Sequence, residues 1–161
     1  MNEKLQEIIN KLKEKNIEFN LIELKDKAMT VEEVMKFSDG KVNPKEICKT
    51  LILKDQENNS YAVVALGSER VDFEKVSKRF NSSRLRLATP EEIKQETGLE
   101  IGAVCPLFLG LPMLIDRRIF SRKKVNFGSG DHLFGIEINP KDILKCVKAK
   151  ISDVSVSQIK K

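Results

Sequence analysis

Thr50-Leu51-Ile52-Leu53-Lys54-Asp55-Gln56-Glu57-Asn58-Asn59-Ser60-Tyr61-Ala62-Val63-Val64-Ala65-Leu66 is an apolar run, a polar loop and a second apolar run. Strands at Thr50–Leu53 and Tyr61–Leu66 joined by a loop at 56–60 predict an antiparallel hairpin, broken afterwards by Gly67. Pro44 opens a short helical turn ahead of it. Upstream, Leu5, Ile8, Ile9 and Leu12 fall on one face of a helix over 2–15, and 17–24 alternates as a strand. Thr30 and Glu33 fit a capping box for a helix through Phe37.

Downstream, Asp72 caps a helix, 85–87 is a short strand, and Thr89-Pro90-Glu91-Glu92 is a helix start. Strands follow at Met113–Asp116, 124–127 and 133–138, and Asn139-Pro140 opens a last helix. Residues 151–161 read as a frayed tail or as one more strand. No regular βαβ alternation is present, nor a G-x-G-x-x-G or Walker A segment. The expected fold is α/β of the α+β type, one compact domain over 1–161, with a mixed, largely antiparallel sheet surrounded by helices.

The 161 residues suit one domain, and 40% apolar with 33% charged residues suits a packed core rather than a disordered chain. No apolar run nears the ~20 residues that cross a bilayer. The charged N-terminus has no signal-peptide pattern. Three unclustered cysteines argue against a disulfide framework and for a reducing, cytoplasmic location. Residues 1–60 carry 11 Lys against 12 Asp+Glu, and residues 61–161 carry 18 Lys+Arg against 12 Asp+Glu. All seven arginines lie between Arg70 and Arg122. That basic half suits either a polyanionic partner or a solvated surface. With 6% aromatics and no Trp, a base-stacking platform is not expected.

No metal or other cofactor is expected, because one histidine and three well-separated cysteines form no close-spaced ligand pair. Cys105 with His132 fits a nucleophile and its base, or an inert core thiol and a surface imidazole. His132 follows the glycine turn Gly128-Ser129-Gly130, at a strand start, which suits a pocket rim or a local hydrogen bond. Gly98 suits a helix C-cap. Gly102 and Pro106 bracket a short loop whose N–H groups suit an anion or a carbonyl oxygen, or form an ordinary turn. Lys49, ahead of an apolar strand, suits either a phosphate or solvent at the sheet edge.

These pieces, in this order, resemble the YbaK-like editing domains, which include the insertion domain of bacterial prolyl-tRNA synthetase. Cys48-Lys49-Thr50-Leu51 resembles their K-T-L strand, and Thr97-Gly98 with Gly102-Ala103-Val104-Cys105-Pro106 their glycine loop. Ile115-Asp116 is similar to their strand-ending I-D, and Asn126 to Ile136 to their glycine turn and histidine strand. The likeness spans about 25–146. It implies a free-standing, trans-acting aminoacyl-tRNA deacylase that hydrolyses the ester of a mischarged tRNA. It also implies that Lys49 holds a phosphate of the tRNA end and that the Gly102–Pro106 backbone cradles the ester carbonyl. His132 would line the amino-acid pocket, and Asp116 would order that pocket or a water. Thr50, Gly98, Val104, Cys105, Gly128 and Gly130 complete the expected binding set. Ala103 and Cys105 depart from the family pattern. The alternative is a non-catalytic module of the same fold that binds tRNA or a synthetase.

Overall fold

The computed structural model describes residues 1–157. Helix α1, Glu3–Glu14, is capped by Asn2, whose side chain accepts from the Leu5 N–H, and it buries Leu5, Ile8, Ile9 and Leu12. Strand β1 (Phe19–Glu23) and helix α2 (Val31–Phe37) follow. The Thr30 hydroxyl accepts from the Glu33 N–H, while the Glu33 carboxylate reaches past the cap to the Met29 N–H. A 3-10 turn at Pro44–Glu46 leads into β2 (Cys48–Lys54), which pairs antiparallel with β3 (Ser60–Leu66) in the expected hairpin.

Helix α3 (Phe73–Phe80), β4 (Arg86–Leu87) and α4 (Pro90–Thr97) come next. Thr89 and Glu92 close a full capping box on α4, and Gly98 ends it in the left-handed conformation. Strands β5 (Met113–Asp116), β6 (Val125–Gly128) and β7 (Phe134–Ile138), helix α5 (Pro140–Cys146) and β8 (Lys150–Ser152) complete the chain.

The strands form two sheets rather than one. The first is antiparallel, in the order β1-β7-β6; the second is mixed, in the order β4-β2-β3-β5-β8. Strand β5 lies parallel to both β3 and β8, so the antiparallel character belongs to the hairpin, the short β2–β4 pair and the smaller sheet. Both faces of β3 are covered. Ala62, Val64 and Leu66 join the main core with α1, and Val63 and Ala65 face a second cluster built on Val71, Val76 and Val154. Each such buried aliphatic side chain contributes roughly 1.5–3 kcal/mol of transfer free energy.

The C-terminal segment is not frayed as far as residue 157. Lys150 to Ser152 pair with Leu114 to Asp116, Ser155 bridges Val71, and Val154 is fully buried. Residues 158–161 of the expected tail lie outside the described residues. Among the described residues, no helix is long and apolar enough to cross a membrane.

All three thiols are buried, and burial pushes Cys48 and Cys105 up to about 12 and Cys146 up to about 11. A thiol reagent at pH 8 is therefore expected to titrate no cysteine in the native state and all three after denaturation. Rapid modification of one thiol in the native protein would contradict this packing.

Candidate functional site

The two sheets meet at a parallel bridge between Ile47, just before β2, and Asn126 in β6. A cavity of about 300 Å³ opens beside this junction. Residues Cys48 to Ile52 form one wall, Asn126 to Gly128 another, and α2 with the 101–104 loop closes it. Lys49, half-buried, stands on the β2 wall, and its Nζ donates to the Glu69 carbonyl. Burial lowers the pKa of Lys49, while the carboxylates of Glu32 and Glu69 pull it back up.

Glycine is required where the loop crosses the segment before α2. Gly102 has a φ of +85°, and a Cβ there would stand 2.9 Å from the Met29 Cα. Ala103 has no positive φ, so its methyl carries no backbone strain. The Ala103 N–H is spent on the Glu100 carbonyl at 3.0 Å, whereas the N–H groups of Gly102 and Val104 donate to no backbone carbonyl among the described residues. The other side of the loop is held by the glycine turn. The Gly130 N–H donates to the Ala103 carbonyl at 2.8 Å, and a Cβ on Gly128 would lie 2.5 Å from the Val104 carbonyl oxygen.

His132 secures the same loop. Its Nε2 lies 2.9 Å from the Ile101 carbonyl oxygen, which makes Nε2 the protonated nitrogen and the imidazole a strut. Its Nδ1 lies 3.9 Å from the Glu100 carboxylate. Two polar atoms of the lining residues, Thr50 Oγ1 and Asn126 Nδ2, are cut off from solvent without a hydrogen-bond partner. An unpaired buried polar group costs roughly 1–3 kcal/mol. Among the described residues, no group of three or more His, Cys, Asp or Glu is placed to hold a metal ion.

The lysine, glycine-loop and histidine segments thus converge on one hollow. Residues 25–146 match the model of the aminoacyl-tRNA editing domain family, three-quarters of the chain. The chain belongs to the aminoacyl-tRNA editing domain family. It is 28% identical over 151 residues to the prolyl-tRNA editing protein ProX of Acetoanaerobium sticklandii, covering 89% of this chain and 90% of that one. It is also 30% identical over 100 residues to a proline–tRNA ligase of Thermotoga maritima, covering 62% of this chain and 17% of the ligase. The crystal structure of a candidate trans-editing enzyme for prolyl-tRNA synthetase shares the fold, with a TM-score of 0.82 at 23% identity over 98% of this chain and 99% of that one.

Of the residues named from sequence, this editing domain brings Lys49, Thr50, Gly102, Ala103, Val104, Gly128 and His132 to the cavity. Five others lie elsewhere. Cys105 and Pro106 are buried behind the loop, since an apolar core lies directly beneath it. Gly98 and Gly130 border a second cavity on the far side of His132. Asp116 is fully buried away from the cavity, where Ser155 Oγ donates to it at 2.7 Å, the Val154 N–H at 3.2 Å and Arg118 Nη1 at 3.2 Å. Its carboxylate anchors the C-terminal segment instead of a water in the pocket. Asn126, outside the expected site, proves to be a wall residue; the visible signal was an asparagine within the apolar run Val125-Asn126-Phe127.

Gly102 and Gly110 both have positive φ, but a Cβ on Gly110 meets nothing within 4 Å. Gly110→Ala is expected to cost about 1 kcal/mol from the backbone alone. Gly102→Ala is expected to cost at least ~1 kcal/mol more, because the methyl meets the Met29 backbone. Urea unfolding of the two variants checks the difference.

Proposed function

We propose that this editing domain is a trans-acting deacylase that hydrolyses the ester between a wrong amino acid and the terminal adenosine of a tRNA. The carrying observation is that Lys49, the Gly102–Val104 backbone and His132 line one cavity, in a chain of the editing family. The match to ProX over 90% of that protein supports action as a separate chain, and the names of the prolyl relatives support a tRNA for proline as the substrate. Such a reaction takes place in the cytoplasm, where tRNA is charged.

In this mechanism water attacks the ester carbonyl carbon, the bond to the ribose oxygen breaks, and that oxygen takes up a proton. The products are the free amino acid and uncharged tRNA. The ester is already activated, so positioning and stabilisation of the developing oxyanion supply most of the required help. The free N–H groups of Gly102 and Val104 are the donors that suit that oxyanion, and His132 holds their loop in place through Ile101. Lys49 has one N–H on the Glu69 carbonyl and two left for a phosphate oxygen. Met29, Leu87 and Ile101, all exposed large apolar side chains of the lining, offer the adenine an apolar surface. No protein nucleophile is invoked, and burial keeps the Cys105 thiol protonated, up to about 12.

A panel of mischarged tRNAs tests the proposal. At least one ester is expected to be cleaved well above the buffer rate, at least tenfold more slowly by Lys49→Ala, and at an unchanged rate by Cys105→Ala. Salt-sensitive tRNA binding with no turnover across the panel would replace the deacylase with a binding module. Asp116→Asn is expected to lower stability by roughly 3 kcal/mol, read from urea unfolding, because it breaks a buried ion pair. Deacylation per folded molecule is expected to stay within about twofold for that variant, since Asp116 lies outside the cavity.

A further inference from the structure

A second hollow, of about 290 Å³, lies against the first and shares His132 and Asp131 with it. It is enclosed by the start of α1, the end of α4 and the 130–132 turn, and three lysines border it: Lys4, Lys27 and Lys94. All three side chains are exposed, and none forms an ion pair among the described residues. They come from distant parts of the sequence, so their gathering is a product of the fold. Lys4 lies close over the turn that ends α4, its Nζ 3.0 Å from where a Cβ on Gly98 would stand. Like charges gathered around one hollow repel one another, and an entering anion relieves that repulsion.

Two acidic residues, Glu100 and Asp131, also border the hollow and offset part of that charge, which leaves the lysines in excess. Both Asp131 oxygens are engaged, Oδ2 by the Asn2 N–H at 2.9 Å and Oδ1 by the Leu133 N–H at 3.0 Å. Glu100 is largely exposed and faces His132 Nδ1 at 3.9 Å from the rim of the hollow. Asn2, the cap of α1, also borders the hollow; its side chain takes the Leu5 N–H, and the N–H groups of Glu3 and Lys4 have no acceptor within the helix.

We propose that this lysine-bordered hollow binds backbone phosphates of the tRNA acceptor strand, just upstream of the terminal adenosine. This rests on the first cavity being the seat of that adenosine ester. A strand leaving that seat past His132 passes directly into the second hollow, carrying one negative charge per nucleotide. Lysine suits a flexible strand, because a mobile point charge follows a phosphate without demanding one fixed orientation. The contacts are independent of base identity, consistent with the low aromatic content of the chain.

The test is equilibrium binding of an uncharged single-stranded RNA ending in CCA, measured by fluorescence anisotropy across a salt series. The variant Lys4→Ala/Lys27→Ala/Lys94→Ala is compared with a control of equal charge loss, Lys13→Ala/Lys123→Ala/Lys148→Ala. The first triple variant is expected to bind roughly tenfold more weakly at 0.1 M salt. The slope of log K against log salt should shrink by about 2, at roughly 0.7 for each phosphate no longer neutralised. The control should keep both affinity and slope, and Lys4→Arg/Lys27→Arg/Lys94→Arg should restore them. Equal losses in both alanine triples would reduce the effect to net charge and overturn the site, as would no loss in the first. The probe carries no ester, so a parent protein that cleaves no mischarged tRNA defeats the deacylase proposal while the binding series still decides this one.

Discussion

The join between Ile47 and Asn126 is the constraint on which the molecule's working surface depends. There the edge of one sheet meets the edge of the other, and the Gly67 N–H donates to the Ile47 carbonyl at 2.7 Å to hold the corner from the opposite strand. A Cβ on Gly67 would stand 2.9 Å from the Val31 methyls, so the corner also sets how closely α2 approaches. A cavity opens beside the join, with residues of both sheets in its walls. The cavity is lined mostly by apolar side chains, with Lys49, Thr50 and Asn126 among the polar residues that border it.

Charge is distributed according to the same division. The arginines of the basic half do not gather as one free patch. Arg118 bonds Asp116 and Asp153, and this holds the Asp153 carboxyl well below the usual carboxylate range. Arg86 is engaged with Glu92 through both of its terminal nitrogens. These pairs fasten the C-terminal segment and the start of α4. The cations at the second hollow come instead from lysines, two of them in the half whose net charge is negative. Local geometry, rather than regional charge, determines where an anion meets an excess of positive charge.

The proposed chemistry uses no protein nucleophile: burial pushes the Cys48 thiol in the cavity wall up to about 12, and an ester needs only a held carbonyl and a water. Cys105 lies immediately beyond the loop, yet burial without a cationic neighbour keeps it a small apolar side chain. His132 has its Nε2 committed to the Ile101 carbonyl, so its contribution is to the shape of the loop. Backbone amides and a half-buried ammonium remain, groups whose usefulness lies in being fixed before substrate arrives.

Local elements were readable along the chain because their causes are local. The α1 stripe, the Thr89–Glu92 box, the Asp72 cap and the hairpin at 48–66 depend on residues within a few positions of one another. Several motifs in family order likewise single out Lys49, the Gly102 loop and His132, which the fold brings to one cavity. The roles of Asp116 and Asn126 were not readable, since each depends on partners far away in sequence: Ser155 for one, the Ile47 bridge for the other. The division into two sheets and the meeting of Lys4, Lys27 and Lys94 at one hollow have the same origin. Hydrogen-bonded caps and periodic apolar faces are written in neighbouring residues, whereas cavities arise from how finished elements fail to fill space between them.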